Sequence, residues 1–238
     1  MNKICSLLIV ALPISFYLLP NTVVAQTTGT IDFLWQGDTY TPPFYKGRAL
    51  WSNQSKLILV GIPNIPGVSN PASLEYIWTR NGQVLGPSNG TGRNSLAFYD
   101  SVLGRAQNIK LEVLSGDGAI LASGTINLGP VRPSLLIYEN NPLYGILFNK
   151  EVTSNYSMRG EEVTFAGFPL FFNSKSRHDV KVQYQWLTNT GTVERSNSVT
   201  YRVPDGLRGS SRVTVDAKHS RELIQTARRS FVVKFGDE

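Results

Sequence analysis

Leu74-Glu75-Tyr76-Ile77-Trp78-Thr79-Arg80-Asn81-Gly82 returns 108 residues later as Val182-Gln183-Tyr184-Gln185-Trp186-Leu187-Thr188-Asn189-Thr190-Gly191. In the second copy Val180, Val182, Tyr184 and Trp186 fall on one face of a strand, and Lys181, Gln183 and Gln185 on the other. In the first, Leu74, Tyr76 and Trp78 repeat the arrangement. A period of two with one apolar face predicts a half-buried strand. Tyr76, Trp78, Tyr184 and Trp186 are therefore the expected core residues. Asn81-Gly82 closes the first copy and predicts a two-residue hairpin, because both central positions need positive φ. Asp117-Gly118 predicts a second such turn.

The likeness extends to both sides. Upstream, Leu57-Ile58-Leu59-Val60-Gly61-Ile62-Pro63 matches Val163-Thr164-Phe165-Ala166-Gly167-Phe168-Pro169. Downstream, Asn94-Ser95-Leu96-Ala97-Phe98 matches Asn197-Ser198-Val199-Thr200-Tyr201, and Ile109–Val113 matches Arg212–Val215. The offsets run from 103 to 108 residues, as they do when loops differ in length. A repeat this long is a whole domain rather than a solenoid unit. Strand patterns recur every ten to fifteen residues between Gly, Pro, Asn and Ser, the signature of an all-β sandwich or barrel. The expected division is residues 26–129, a linker at 130–133 containing Pro130 and Pro133, and residues 134–238. Two close prolines predict a stiff connector, hence a spacer rather than a clamp. Ser220–Gln225 reads as a lengthened loop where the first domain has a plain hairpin.

Residues 1–25 read as a Sec-type export signal. Lys3 supplies the positive start, Ile4–Leu19 the apolar run, and Val23-Val24-Ala25 the small-residue cleavage site. The single cysteine, Cys5, lies inside it, so the expected mature chain has none. Stability must then come from the cores, which domains of about 100 residues can supply. The expected location is extracellular, cell-surface or periplasmic. The net charge is +6 and uneven. Residues 131–238 hold fifteen Lys and Arg against eleven Asp and Glu, whereas residues 26–130 hold seven against six. The basic second domain is a candidate surface for a polysaccharide or other anionic polymer. Nothing points to a specific nucleic acid.

Tyr-x-Trp followed by a turn resembles the central strand of immunoglobulin-like and PKD-like domains. Tyr76-Ile77-Trp78-Thr79-Arg80-Asn81-Gly82 is similar to repeats of exported bacterial surface proteins. The resemblance covers residues 31–235 and implies two tandem Ig-like β-sandwiches, with Trp78 and Trp186 packed between sheets. The cysteine pair of immunoglobulin domains and the Trp-Asp-Phe-Gly-Asp-Gly element of PKD domains are both missing. No specific partner follows from the resemblance.

No catalytic or metal constellation emerges. Gly86-Pro87-Ser88-Asn89-Gly90 fits the pattern of a hydrolase nucleophile, but it lacks the strand before and helix after that an elbow needs. His178 and His219 have no metal-ligand spacing. We expect no enzymatic activity and no cofactor. The stretch Trp35, Tyr40, Phe44, Tyr45 and Trp51 is the candidate binding surface. Two readings stay open: exposed rings that stack on sugars or anchor a partner, or rings packed on the core under the first strand. The leading function is an exported interaction or spacer protein whose partner is an envelope or surface protein met at loop ends, at strand edges or at Trp35–Trp51. A carbohydrate-binding module is the alternative.

Overall fold

The computed structural model describes residues 29–99, 104–188, 191 and 193–236. The export signal read at residues 1–25 lies outside them. The chain is all-β and forms two tandem Ig-like sandwiches. Among the described residues no helix is long and apolar enough to cross a membrane.

In the first sandwich, β1 (Thr30–Gly37), β2 (Lys56–Asn64) and β6 (Ser95–Tyr99) form one sheet, in the order β1-β2-β6. The other sheet runs β4-β3-β7-β8, with β3 at Glu75–Arg80, β4 at Gln83–Val84, β7 at Gln107–Leu114 and β8 at Ile120–Leu128. The short β5 (Gly90–Thr91) pairs with β3. In the second sandwich, β9 (Ser134–Asn141), β10 (Gly145–Glu151), β12 (Glu162–Leu170) and β15 (Ser198–Arg202) form a sheet ordered β10-β9-β12-β15. Facing it are β11 (Asn155–Ser157), β13 (Val182–Thr188), β14 (Val193–Glu194), β16 (Gly209–His219) and β17 (Thr226–Phe235), ordered β11-β17-β16-β13-β14. The β11–β17 pair is parallel and the others are antiparallel.

The repeat is reproduced bond for bond. Trp78 and Trp186 are each 0% exposed. Trp78 lies opposite Leu111 and Trp186 opposite Val215 in register. Each indole N–H donates to a backbone carbonyl just ahead of the next long strand, Trp78 to Arg93 (2.9 Å) and Trp186 to Ser196 (2.8 Å). The tyrosine hydroxyls two residues earlier also donate to loop carbonyls, Tyr76 to Pro71 (2.9 Å) and Tyr184 to Arg177 (3.0 Å). The Gly-x-Pro glycines match too: Gly61 N–H donates to Asn94 and Gly167 N–H to Asn197, both at 2.8 Å. A Cβ on Gly61 would lie 2.2 Å from Leu111 Cδ2, so the strand cannot carry a side chain there without moving the core.

The turns divide. Asn81 (φ 51°) and Gly82 (φ 82°) form the two-residue hairpin. At Asp117-Gly118 only the glycine has positive φ (85°). Ser115 and Ala119 close that loop, a wider turn of type I with a glycine bulge rather than a second two-residue hairpin.

Strand β12 departs from alternation. Its burial is nearly continuous from Phe165 to Leu170, whereas the matching β2 alternates. A strand buried on both faces needs a cover on each. One cover is its own core. The other is a segment from the first sandwich.

Candidate functional site

That cover is the long connection between β1 and β2, residues 38–55. Its backbone joins the second sandwich through a reciprocal pair: Tyr40 N–H donates to Phe172 C=O and Phe171 N–H to Tyr40 C=O, both at 2.8 Å. Tyr40 packs on Tyr138, Ala166 and Phe168, on the outer face of the β10-β9-β12-β15 sheet. Burial pushes the Tyr40 hydroxyl pKa up, opposed by the nearby Arg177 charge. Arg177 stacks over Phe168 at 4.8 Å. Phe44 meets Phe148 edge-on (5.4 Å) and Tyr45 meets Phe171 edge-on (5.7 Å). Lys175 and Asp38 form an exposed ion pair at 3.2 Å, worth little alone.

At the far end of the strap the contacts turn polar and buried. Gln225 is 0% exposed. Its amide N–H₂ donates to Asn53 C=O (2.7 Å) and Ser52 Oγ (3.3 Å), and its Oε1 accepts from Asn173 N–H (2.7 Å). Gln54 answers in the other direction, accepting Ile224 N–H at 2.9 Å. Val131 N–H donates to Trp51 C=O at 2.8 Å, which ties the linker into the same joint. The connector is thus fixed by pairing with the strap, beyond the stiffness of its prolines. Three of the four positive-φ non-glycine residues among the described ones sit here: Phe44 (63°), Gln54 (58°) and Phe171 (63°). Left-handed backbone costs a non-glycine residue about 1–2 kcal/mol, so surrounding contacts must hold each in place.

The five aromatic candidates therefore separate. Trp51 is 1% exposed and packs in the first core, edge-on to Phe98, so it cannot face a ligand, a correction to the exposed-surface reading. Tyr40 is taken up by the second sandwich. Trp35 is half-buried, packs against the first core, and carries the Arg48 guanidinium at 4.5 Å. Phe44 (82% exposed) and Tyr45 (37%) remain accessible. Ser88 sits in a 3₁₀ turn, Gly86–Ser88, in the sandwich that holds neither histidine. Among the described residues no group of three or more His, Cys, Asp or Glu could hold a metal ion.

The roles of Gln225, Gln54, Asn173 and His219 at the joint escaped the sequence reading. The available signal was the length difference at Ser220–Gln225, where the two repeats part. His219 organises that loop. Its Nδ1 accepts N–H bonds from Arg221 (3.2 Å) and Glu222 (2.9 Å), so the ring proton belongs on Nε2, which donates to Asn173 C=O (3.1 Å). Burial holds its pKa below the ordinary value near 6.5, with the Glu222 charge opposing. The unfolded chain therefore takes up the proton first as pH falls. The stabilisation is complete above about pH 6.5 and is lost as pH drops from there to the folded-state pKa. Urea unfolding midpoints should fall between pH 7.5 and 5.5, with a slope of at most about 1.4 kcal/mol per pH unit. His219→Gln should flatten that slope. An unchanged slope in His219→Gln would remove the assignment.

No protein-family model matches the chain, and no curated protein matches it. Three fold comparisons with solved structures are weak. The fibronectin(III)-like modules of Clostridium thermocellum CbhA are 11% identical, over 78% of this chain and 87% of that one, with a TM-score of 0.27. The central fibronectin-III array of RIM-binding protein is 14% identical, over 79% and 68%, at 0.26. The chicken CNTN1 FN1-FN3 domains are 10% identical, over 80% and 64%, at 0.29, so this chain spans less than two thirds of that one.

Proposed function

We propose that this chain is a non-catalytic, exported spacer and interaction protein of a bacterial envelope. Its two sandwiches are held as one unit. The observation that carries the reading is the buried joint around Gln225, Ser52 and Gln54. Two binding modules on a loose tether need no buried polar network between them. A spacer does, because its task is to hold one end at a fixed place relative to the other. Export rests on the reading of residues 1–25, and the partner class on the edge strands β10 and β15, which end their sheet.

Residual dipolar couplings test the joint directly. A single alignment tensor should fit the amides of both sandwiches. Two independent tensors in the unmodified protein would overturn the rigid-unit reading. The carbohydrate alternative narrows to Phe44 and Tyr45. Neutral-glycan binding lost in Phe44→Ala but kept in Trp35→Ala would favour it instead.

A further inference from the structure

The two sandwiches present equivalent sheet faces with opposite charge. On the outer face of β3, β7 and β8 the charged residues are Glu75, Lys110 and Glu112, and Lys110 is paired with Glu112 at 2.7 Å. Register places Thr214 and Asp216 where the first sandwich has Lys110 and Glu112. Around them the outward positions of β13, β16 and β17 hold Arg212, Lys218, Arg228 and Lys234, with Asp216 as their single carboxylate. The first face has a surplus of one negative charge and the second a surplus of three positive ones.

Asp216 does not neutralise this face broadly. Arg228 holds both of its oxygens, at 2.6 and 2.9 Å. Arg212, Lys218 and Lys234 have no ion-pair partner among the described residues. Beside Lys218 the face opens into a groove of about 640 Å³, lined among others by Arg177, Arg195, Asn197, Gln183 and Gln185. Asp179 also lines it, but its carboxylate accepts the backbone N–H groups of Lys175 and Lys181. The local acids are thus engaged within the protein, whereas Arg195, Arg212, Lys218 and Lys234 form no ion pair among the described residues.

We propose that this face and its groove bind an acidic or sulfated polysaccharide lying along β16. Arg212 and Lys218 are six residues apart on one strand, so the cations spread over roughly 20 Å at about 3.4 Å per residue. That suits a polymer with repeated anionic groups better than a small anion. The neutral outward residues are chiefly Gln183, Gln185, Thr214, Thr226 and Ser230, amides and hydroxyls that hydrogen-bond sugar hydroxyls. No Phe, Tyr or Trp points outward from these three strands, so nucleic acid bases find no stacking platform. The inference goes beyond the rigid-unit reading, whose test reports orientation and not binding.

The test measures binding of the purified protein to dextran sulfate, with uncharged dextran as reference, at about 50 mM salt, where screening is weak. The unmodified protein should bind dextran sulfate alone. Arg212→Gln, Lys218→Gln and Lys234→Gln combined should weaken binding by about tenfold or more, with an unchanged melting temperature as the folding control. A charge-matched variant elsewhere, Arg105→Gln with Lys150→Gln and Arg208→Gln, should stay within about twofold, since patch geometry rather than net charge sets the affinity. Equal losses in both variants, or no binding by the unmodified protein, would overturn the proposal. So would tighter binding of a thymidine oligonucleotide or of phosphatidylglycerol vesicles than of dextran sulfate.

Discussion

Trp186→Ala should lower the stability of the second sandwich by about 3–5 kcal/mol, the range for removing a fully buried tryptophan. Two losses combine. The side chain is 0% exposed within a core containing Phe165, Val215 and Phe231, and deleting the ring leaves a cavity there. The Ser196 carbonyl also loses its indole donor. Whole domains have a stability of only about 5–15 kcal/mol, so the change removes a large share. Trp78→Ala should do the same to the first sandwich, where the ring sits among Leu57, Leu111 and Val113. Trp186→Phe separates the two terms. It keeps most of the apolar volume and gives up the donor, so it should cost about 1–3 kcal/mol, the penalty for an unsatisfied buried acceptor. Urea unfolding followed by far-ultraviolet circular dichroism reads both. Trp186 is the second sandwich's own tryptophan, with Trp35, Trp51 and Trp78 in the first chain half, so fluorescence of Trp186→Ala reports the first sandwich alone. A loss under about 1 kcal/mol for Trp186→Ala would contradict the burial argument.

The strands around Trp78 and Trp186 were legible because a half-buried strand writes its two faces into alternate residues. The repeat added a second reading of every element, down to Gly61 and Gly167. The joint was not legible in the same way. Its hydrogen bonds link Gln54 to Ile224 and Asn53 to Gln225, residues some 170 positions apart, and no local period encodes such a pair. The strap misled for a related reason. Five aromatics in seventeen residues look like one surface, yet Trp51 turns into its own core, Tyr40 onto the other sandwich, and Phe44 outward. A ring's chemistry is the same in a core, a joint or a binding face, so composition cannot sort them. One clue was in plain view. Phe165-Ala166-Gly167-Phe168-Pro169-Leu170-Phe171-Phe172 is an unbroken apolar run in a fold that otherwise alternates, and such a run demands a cover on both faces. The charged face of the second sandwich was visible only as an excess of Lys and Arg. Register was needed to show that Arg212, Lys218, Arg228 and Lys234 share one side.

Gln225→Ala should uncouple the sandwiches while leaving both folded. The side chain makes three hydrogen bonds across or beside the joint, and truncation strands Asn53 C=O and Asn173 N–H in a buried setting. Each orphaned group costs about 1–3 kcal/mol; the loss at Asn173 N–H falls on the second sandwich and that at Asn53 C=O on the joint, which should weaken by about 1–3 kcal/mol. Three strained backbone positions sharpen the effect. Phe44, Gln54 and Phe171 keep positive φ while contacts hold them, and releasing the joint lets each relax. Reclosing then has to restore both the hydrogen bonds and the strain. Differential scanning calorimetry should show one coupled transition in the unmodified protein and two in Gln225→Ala, the lower shifted by several degrees. A change of 1 kcal/mol moves the melting point of a 60–100-residue domain by about 4–8 °C. Gln225→Glu distinguishes the directions of the bonds. Its carboxylate still accepts Asn173 N–H but now faces the Asn53 carbonyl with no proton to offer, so it should behave like the alanine variant near neutral pH. A single transition in Gln225→Ala, shifted by less than about 2 °C, would mean that the aromatic strap alone holds the sandwiches together and that the polar latch contributes little.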